Sequence, residues 1–254
     1  MSIAAPRIRE QVLAAPIDVL TWETALERIS SWAKAHESRY ICITNVHSVV
    51  TATQDEAFGQ VVTGADMVTP DGAPVAWMLR KLGHVNQQRI NGPDLMLKYC
   101  AVAAERGESI FLYGSTPETL SILQEVLASR FPALVIAGAY SPPFRPLTPE
   151  EDQAVIEQIN ASGAGSVWVS LGCPKQEKWM AEHRGKINAV MVGVGAAFDY
   201  HAGTIQRAPL WMQHAGLEWL HRLCSEPRRL WRRYFHTNSR FIWLAAKQLW
   251  SRSQ

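Results

Sequence analysis

Short apolar runs, each closed by a glycine- or proline-containing turn and followed by a helical pattern, recur along this chain and leave few folds open to it. Residues 109–113 (SIFLY), 167–171 (VWVSL) and 189–193 (AVMVG) are of this kind. Strands that are apolar throughout, rather than alternating, are covered on both faces, and their alternation with helices of about ten or more residues specifies a parallel sheet. The fold class expected is α/β, a Rossmann-like doubly wound parallel sheet carrying a basic helical C-terminal appendage.

Earlier runs continue the theme. Residues 17–20 and 40–43 read as strands, a helix is expected from Thr21 to about His36, and a second follows Asn45 through Phe58. Pro70 and Gly72 break the strand over residues 65–69 before a helix near Pro74, and Pro93 opens another that ends at Arg106. Thr116 and Thr148 each precede a proline and acidic residues, as helix starts do, while residues 134–138 read as a strand and 175–184 as a helix. The expected organisation is a flexible leader over residues 1–16, an α/β core over 17–204 and the appendage over 205–254.

The appendage departs from the rest in charge. Residues 205–254 hold nine cations against two acids, Glu218 and Glu226, with five tryptophans interleaved, although the whole chain of 254 residues carries a formal charge of only +2. Arginine grips phosphate oxygens bidentately and tryptophan sits at polar/apolar boundaries, so this mixture suits a polyphosphate ligand or an anionic membrane surface. A solvated basic face or a nucleic-acid patch would also be basic, but tryptophans spread along helices suit lipid better than bases. No nucleic-acid partner is expected.

With 47% hydrophobic and 19% charged residues, disorder is excluded as the general state. The four cysteines (Cys42, Cys100, Cys173, Cys224) are scattered as small buried hydrophobes would be in a reducing compartment. Arg7, Arg9 and Glu10 with no long apolar run argue against a signal peptide, and no run of about eighteen apolar residues would span a bilayer. Metal ligands at recognisable spacing are lacking, so no metal and no cofactor is expected.

In open α/β sheets ligands bind beyond the carboxyl ends of the strands. The turns there supply Thr44, Asn45 and His47, then Asp71 and Gly72, then Gly114, then Gly172, Lys175, Gln176 and Glu177, and finally Gly193 and Gly195. Glycines admit a ligand to the backbone, and helix N-termini attract its phosphates. Asp71 follows a strand and precedes a glycine, which suits either a general base or an Asx-turn. Gly193 and Gly195 begin a dinucleotide-like pattern, but Phe198 stands where its third glycine belongs, and a tight turn explains the pair equally. A nicotinamide-dependent sugar oxidoreductase and a non-enzymatic nucleotide-sugar sensor are the readings set against transfer chemistry.

Six motifs in order carry a resemblance. They are Asn45, the PDG at Asp71, RINGPDL over residues 89–95, GCPKQEKWM over 172–180, GVGAAFDYHAG over 193–203, and RAPLWMQHAGLEWLHRL with EPRRLWRR over 207–233. Together the chain resembles the WecG/TagA/CpsF family of bacterial glycosyltransferases. The resemblance implies an inverting, metal-independent transfer of a hexose (N-acetylmannosamine, its uronic acid or glucose) from a UDP-sugar. The acceptor implied is a sugar on a polyprenyl diphosphate, at the cytoplasmic face of the bacterial inner membrane, in cell-surface polysaccharide synthesis.

It also implies Asp71 as the base, with Asn45 and Thr44 beside it, Arg89 and Asp94 toward the acceptor, and Arg222, Arg229 and Arg232 on the diphosphate. A single helix would bring those three arginines near one face. The segment then becomes a catalytic lid completed at the membrane, and an apolar face uncovered by its movement would favour a homo-oligomer.

Overall fold

A computed structural model describes residues 7–252, apart from the side chains of His214 and Arg229. In chain order the first elements are β1 (Arg9–Val12), β2 (Ala15–Asp18), α1 (Trp22–Lys34), β3 (Arg39–Thr44), α2 (Val46–Ala52), α3 (Glu56–Gly64), β4 (Met67–Pro70), α4 (Ala73–Lys81) and α5 (Gly92–Arg106). Then come β5 (Ser109–Gly114), α6 (Pro117–Arg130), β6 (Val135–Tyr140), α7 (Pro149–Ala161), β7 (Ser166–Ser170), α8 (Lys175–His183) and β8 (Val190–Gly193). The last are α9 (Ala197–Ala202), α10 (Leu210–His214), α11 (Glu218–Ser225) and α12 (Pro227–Arg252). The chain divides into two compact units, one from Trp22–Ile43 and Gly92–Gln206, the other from the described residues of Met1–Thr21, Thr44–Asn91 and Arg207–Gln254.

The unit built from Trp22–Ile43 and Gly92–Gln206 holds parallel strands in the order β3-β8-β7-β5-β6. Every residue of β7 is buried, and since successive side chains point to opposite faces, both faces of the sheet are covered. Trp168 and Tyr99 are fully buried with ring centroids 5.3 Å apart. The α/β class and Rossmann-like architecture are as expected. Thr116 and Thr148 cap α6 and α7 as their sequence context required, Thr148 through a full capping box with Glu151. The segment around Phe198 forms the short helix α9, closed by Gly203 in the left-handed conformation.

The other unit contains an antiparallel hairpin, β1 with β2, where a flexible leader was expected. Its anchor is Asp18, fully buried, whose carboxylate accepts from Arg7 at 2.6 and 2.8 Å and from the Val68 amide at 2.6 Å. A buried carboxylate needs such partners, and here they come from both sides of the hairpin. Helix α12 buries Leu230, Phe241 and Ala245, packs on α2, and clasps the hairpin through Gln248, whose amide oxygen accepts from the Leu13 N–H at 3.0 Å. Residues 207–252 therefore share a compact unit with the described N-terminal residues and with Thr44–Asn91.

Two further helix expectations are corrected. The helix expected through Phe58 is two, α2 and α3, because Asp55 turns out of the helical conformation and caps Phe58. The single helix expected to carry Arg222, Arg229 and Arg232 breaks between α11 and α12. Glu226 precedes Pro227, whose ring disfavours the helical conformation at the residue before it. No helix among the described residues is long and apolar enough to cross a membrane.

Candidate active site

In the unit of parallel strands, three turns at the carboxyl ends of β5, β7 and β8 are knitted together. The Ser115 amide donates to Ser170 O at 3.0 Å, Ser170 Oγ donates to Gly195 O at 2.7 Å, and Ser115 Oγ reaches Asp199 Oδ1 at 3.5 Å. Gly114 makes this convergence possible. With φ of +117°, it lies so near β7 that a Cβ would fall 2.4 Å from Ser170 O. Gly114→Ala should lower the unfolding free energy by about 2–4 kcal/mol from clash and backbone strain together, read as a shifted urea midpoint. An unchanged midpoint would show that the turn relaxes freely.

The other glycines divide by role. Gly172 and Gly195 adopt positive φ, as their turns demand. Gly193 instead leaves room for α8: a Cβ there would lie 2.7 Å from Met180 Cε. Gln176 and Glu177, expected to contact the nucleotide, are buried. Gln176 accepts from the Gly195 amide at 3.0 Å and donates to Glu177 at 3.0 Å, so the pair braces the β7 and β8 turns from inside. Burial pushes the Glu177 carboxyl up, which suits a carboxyl with one oxygen lacking a hydrogen-bond partner. Lys175 opens α8 and is exposed, and Asp94 lies in the first turn of α5.

In the other unit a second cluster gathers at the end of β4. The Asp71 amide donates to Thr44 O at 2.9 Å and the Ile90 amide to Pro70 O at 2.9 Å, fixing the PDG turn and bringing Arg89 beside it. Arg89 Nε donates to Asp71 Oδ1 at 3.3 Å. The Asp71 side chain keeps 19% exposure, enough for a ligand to reach it. Desolvation by its surroundings raises its pKa, Arg89 draws it back down, and Glu218 adds to the rise. A carboxylate held above the usual range is a stronger base, the property required to take a proton from a hydroxyl.

Its expected companions have other tasks. Asn45 caps α2, its Oδ1 accepting from the amides of His47 at 3.0 Å and Ser48 at 3.2 Å. Thr44 is 1% exposed, and its hydroxyl is buried without a hydrogen-bond partner. Its carbonyl, not its side chain, is what meets the Asp71 turn. His47 is driven down to about 4 by burial and by the charge of Arg233, so it is a poor base at neutral pH. Arg222 is on α11 and Arg232 is exposed on α12 with its guanidinium 5.4 Å from the Trp231 ring centroid; the side chain of Arg229 lies outside the described residues.

Two residues in this cluster were given no role from sequence. Glu218, on α11, contacts Arg89 through its Oε2 and accepts from Arg207 Nε at 3.3 Å through its Oε1. Arg207 and Glu218 both lie in the RAPLWMQHAGLEWLHRL stretch over residues 207–223, but nothing local in it names Arg89 as their partner in the cluster.

The sequence model described as "Glycosyl transferase WecG/TagA/CpsF family" matches residues 10–254. The chain is 32% identical over 194 residues to the N-acetylglucosaminyldiphosphoundecaprenol N-acetyl-beta-D-mannosaminyltransferase of Bacillus subtilis (strain 168), covering 76% of this chain and 73% of that one. An α/β sheet with converging turns at its strand ends, an Asp-Arg cluster beyond β4, and a match spanning nearly the whole sequence lead to one conclusion: the chain belongs to the WecG/TagA/CpsF family and is a glycosyltransferase.

Proposed function

We propose that this glycosyltransferase moves an N-acetylmannosamine-type hexose from a UDP-sugar to an N-acetylglucosamine carried on a polyprenyl diphosphate, with inversion and without a metal. The observation that carries this reading is Asp71: a reachable carboxylate with a raised pKa, positioned by Arg89 on the turn after β4. Asp71 takes the proton of the acceptor hydroxyl. As it does, the acceptor oxygen bonds to the anomeric carbon, and the bond from that carbon to the UDP oxygen breaks. UDP leaves with its negative charge stabilised by cations, for which Arg222, Arg229 and Arg232 are the candidates. Gly114, Gly172, Lys175, Gly193 and Gly195 are assigned to the nucleotide, with Gln176 and Glu177 shaping their turns. Arg89 and Asp94 are assigned to the acceptor. The choice of sugars is supported by the name of the Bacillus subtilis relative.

Membrane contact belongs to the same proposal. Trp231, Phe235, Ile242, Trp243 and Trp250 are more than half exposed and recur at helical spacing on α12, away from its buried Leu230, Phe241 and Ala245. Arg228, Arg240 and Lys247 are also exposed on this helix, as cations are on helices that lie in an anionic interface. This would place the enzyme on the cytoplasmic face of the membrane.

One assay tests the reading. UDP-N-acetylmannosamine is incubated with a short-chain polyprenyl-diphosphate N-acetylglucosamine in vesicles containing anionic lipid. UDP release should rise in proportion to acceptor, and the protein should sediment with the vesicles. Nucleotide-sugar binding without release at any acceptor concentration would favour a sensor and sink the proposal.

A further inference from the structure

Glu218 belongs to α11, far along the chain from the PDG turn, yet it touches the same guanidinium that touches Asp71. Arg89 offers its Nε to Asp71 Oδ1 at 3.3 Å and its Nη2 to Glu218 Oε2, so one cation is shared by two carboxylates. Glu218 is held in turn by Arg207 Nε at 3.3 Å, and Arg207 Nη2 reaches Asn91 Oδ1 at 3.4 Å. The side chains of Asp71, Arg89, Glu218 and Arg207 are each only 19–22% exposed, so solvent screens this line of charges weakly.

A guanidinium facing a lone carboxylate tends to close on it with two parallel hydrogen bonds. We propose that Glu218 is a positioning residue for the transfer step: by holding the Nη2 edge of Arg89, it prevents that fork from closing on Asp71 and leaves the carboxylate available to the acceptor hydroxyl. This rests on Asp71 being the base. The groups that face Asp71 are Arg89, Glu218 and the Gly72 amide, with Arg207 behind Glu218. Of these Glu218 alone acts to raise the Asp71 pKa, alongside desolvation, against the pull of Arg89. Glu218 therefore serves twice, withdrawing the fork and opposing its charge. It also makes the base depend on α11 being docked, which links the tail to the chemistry without a direct contact to substrate.

The test uses the full chain with UDP-N-acetylmannosamine and the short-chain acceptor, following rate against pH. Glu218→Gln should lower kcat about three- to tenfold, with KM for the UDP-sugar within about twofold, and move the acid limb down by about one pH unit. Glu218→Asp should recover part of both. Arg207→Gln should move the limb the opposite way, because Glu218 then bears on Arg89 and Asp71 with its charge unshared. A Glu218→Gln limb that stays in place, or variants that shift it in the same direction, would overturn the inference even if rates fall. Should Glu218→Gln fail to fold, the Arg207→Gln limb decides alone: an upward shift supports the inference, and any other result overturns it. Near-normal turnover by Asp71→Asn would instead remove the base reading on which it rests, so the two failures are distinguishable.

Discussion

Asp71→Asn should lower the rate of transfer by about two to four orders of magnitude and leave UDP binding within about twofold, the pattern of a lost general base that does not hold the nucleotide. The pH profile gives the sharper reading. Burial raises the Asp71 pKa above the usual carboxylate range, so the ionised, active form accumulates only as pH climbs through that raised value. The wild-type rate should fall on the acid side at a higher pH than a free carboxylate would give, and Asp71→Asn should have no such limb.

The sign of linkage supplies a control. A carboxyl whose pKa is raised on folding favours the folded state most when protonated, and that contribution is lost as pH rises through the folded pKa. A neutral amide should therefore leave the fold no less stable at neutral pH. A large rate loss with an unchanged melting temperature identifies chemistry, whereas near-normal rates would move the role to another group.

The second large effect comes from removing residues 205–254. Sequence alone describes an appendage that could be cut away from an intact core, but α12 is a wall of the unit that holds Asp71. Leu230 and Phe241 are 0% and 4% exposed, and burying two such side chains is worth roughly 3–6 kcal/mol, a large part of the usual 5–15 kcal/mol of a whole domain. The truncated chain should keep the unfolding transition of the unit of parallel strands, lose that of the unit holding Asp71, self-associate on size exclusion and release no UDP. A monodisperse chain that retains both transitions would mean that the helices are a detachable lid after all.

The sheet was legible because its signals are local. SIFLY and AVMVG are apolar without alternation, as strands buried on both faces must be, and the Thr-Pro helix starts carry their own caps. Asp71 was legible as a candidate for the same reason, since a short turn after a strand names its own residues. What escaped depends on partners distant in sequence. Asp18 holds the β1–β2 hairpin only because Arg7 and the Val68 amide converge on it. Gln176 and Glu177 sit in a turn that reads as ligand-binding, yet packing of α8 on β8 directs them inward. Glu218 reads as an acid within a basic tail, and only the fold shows that it shares Arg89 with Asp71.

The clasp of Gln248 on the hairpin also fixes an order of events during synthesis. The unit of parallel strands draws on nothing beyond Gln206, so it can form while the ribosome is still adding residues. The unit that contains Asp71 joins its earliest described strands to its last helix, through Gln248 to Gln11 and Leu13 and through Arg252 to Glu10. It cannot close until that helix has left the exit tunnel. The chain can thus build its parallel sheet before the unit that carries Asp71 is able to close.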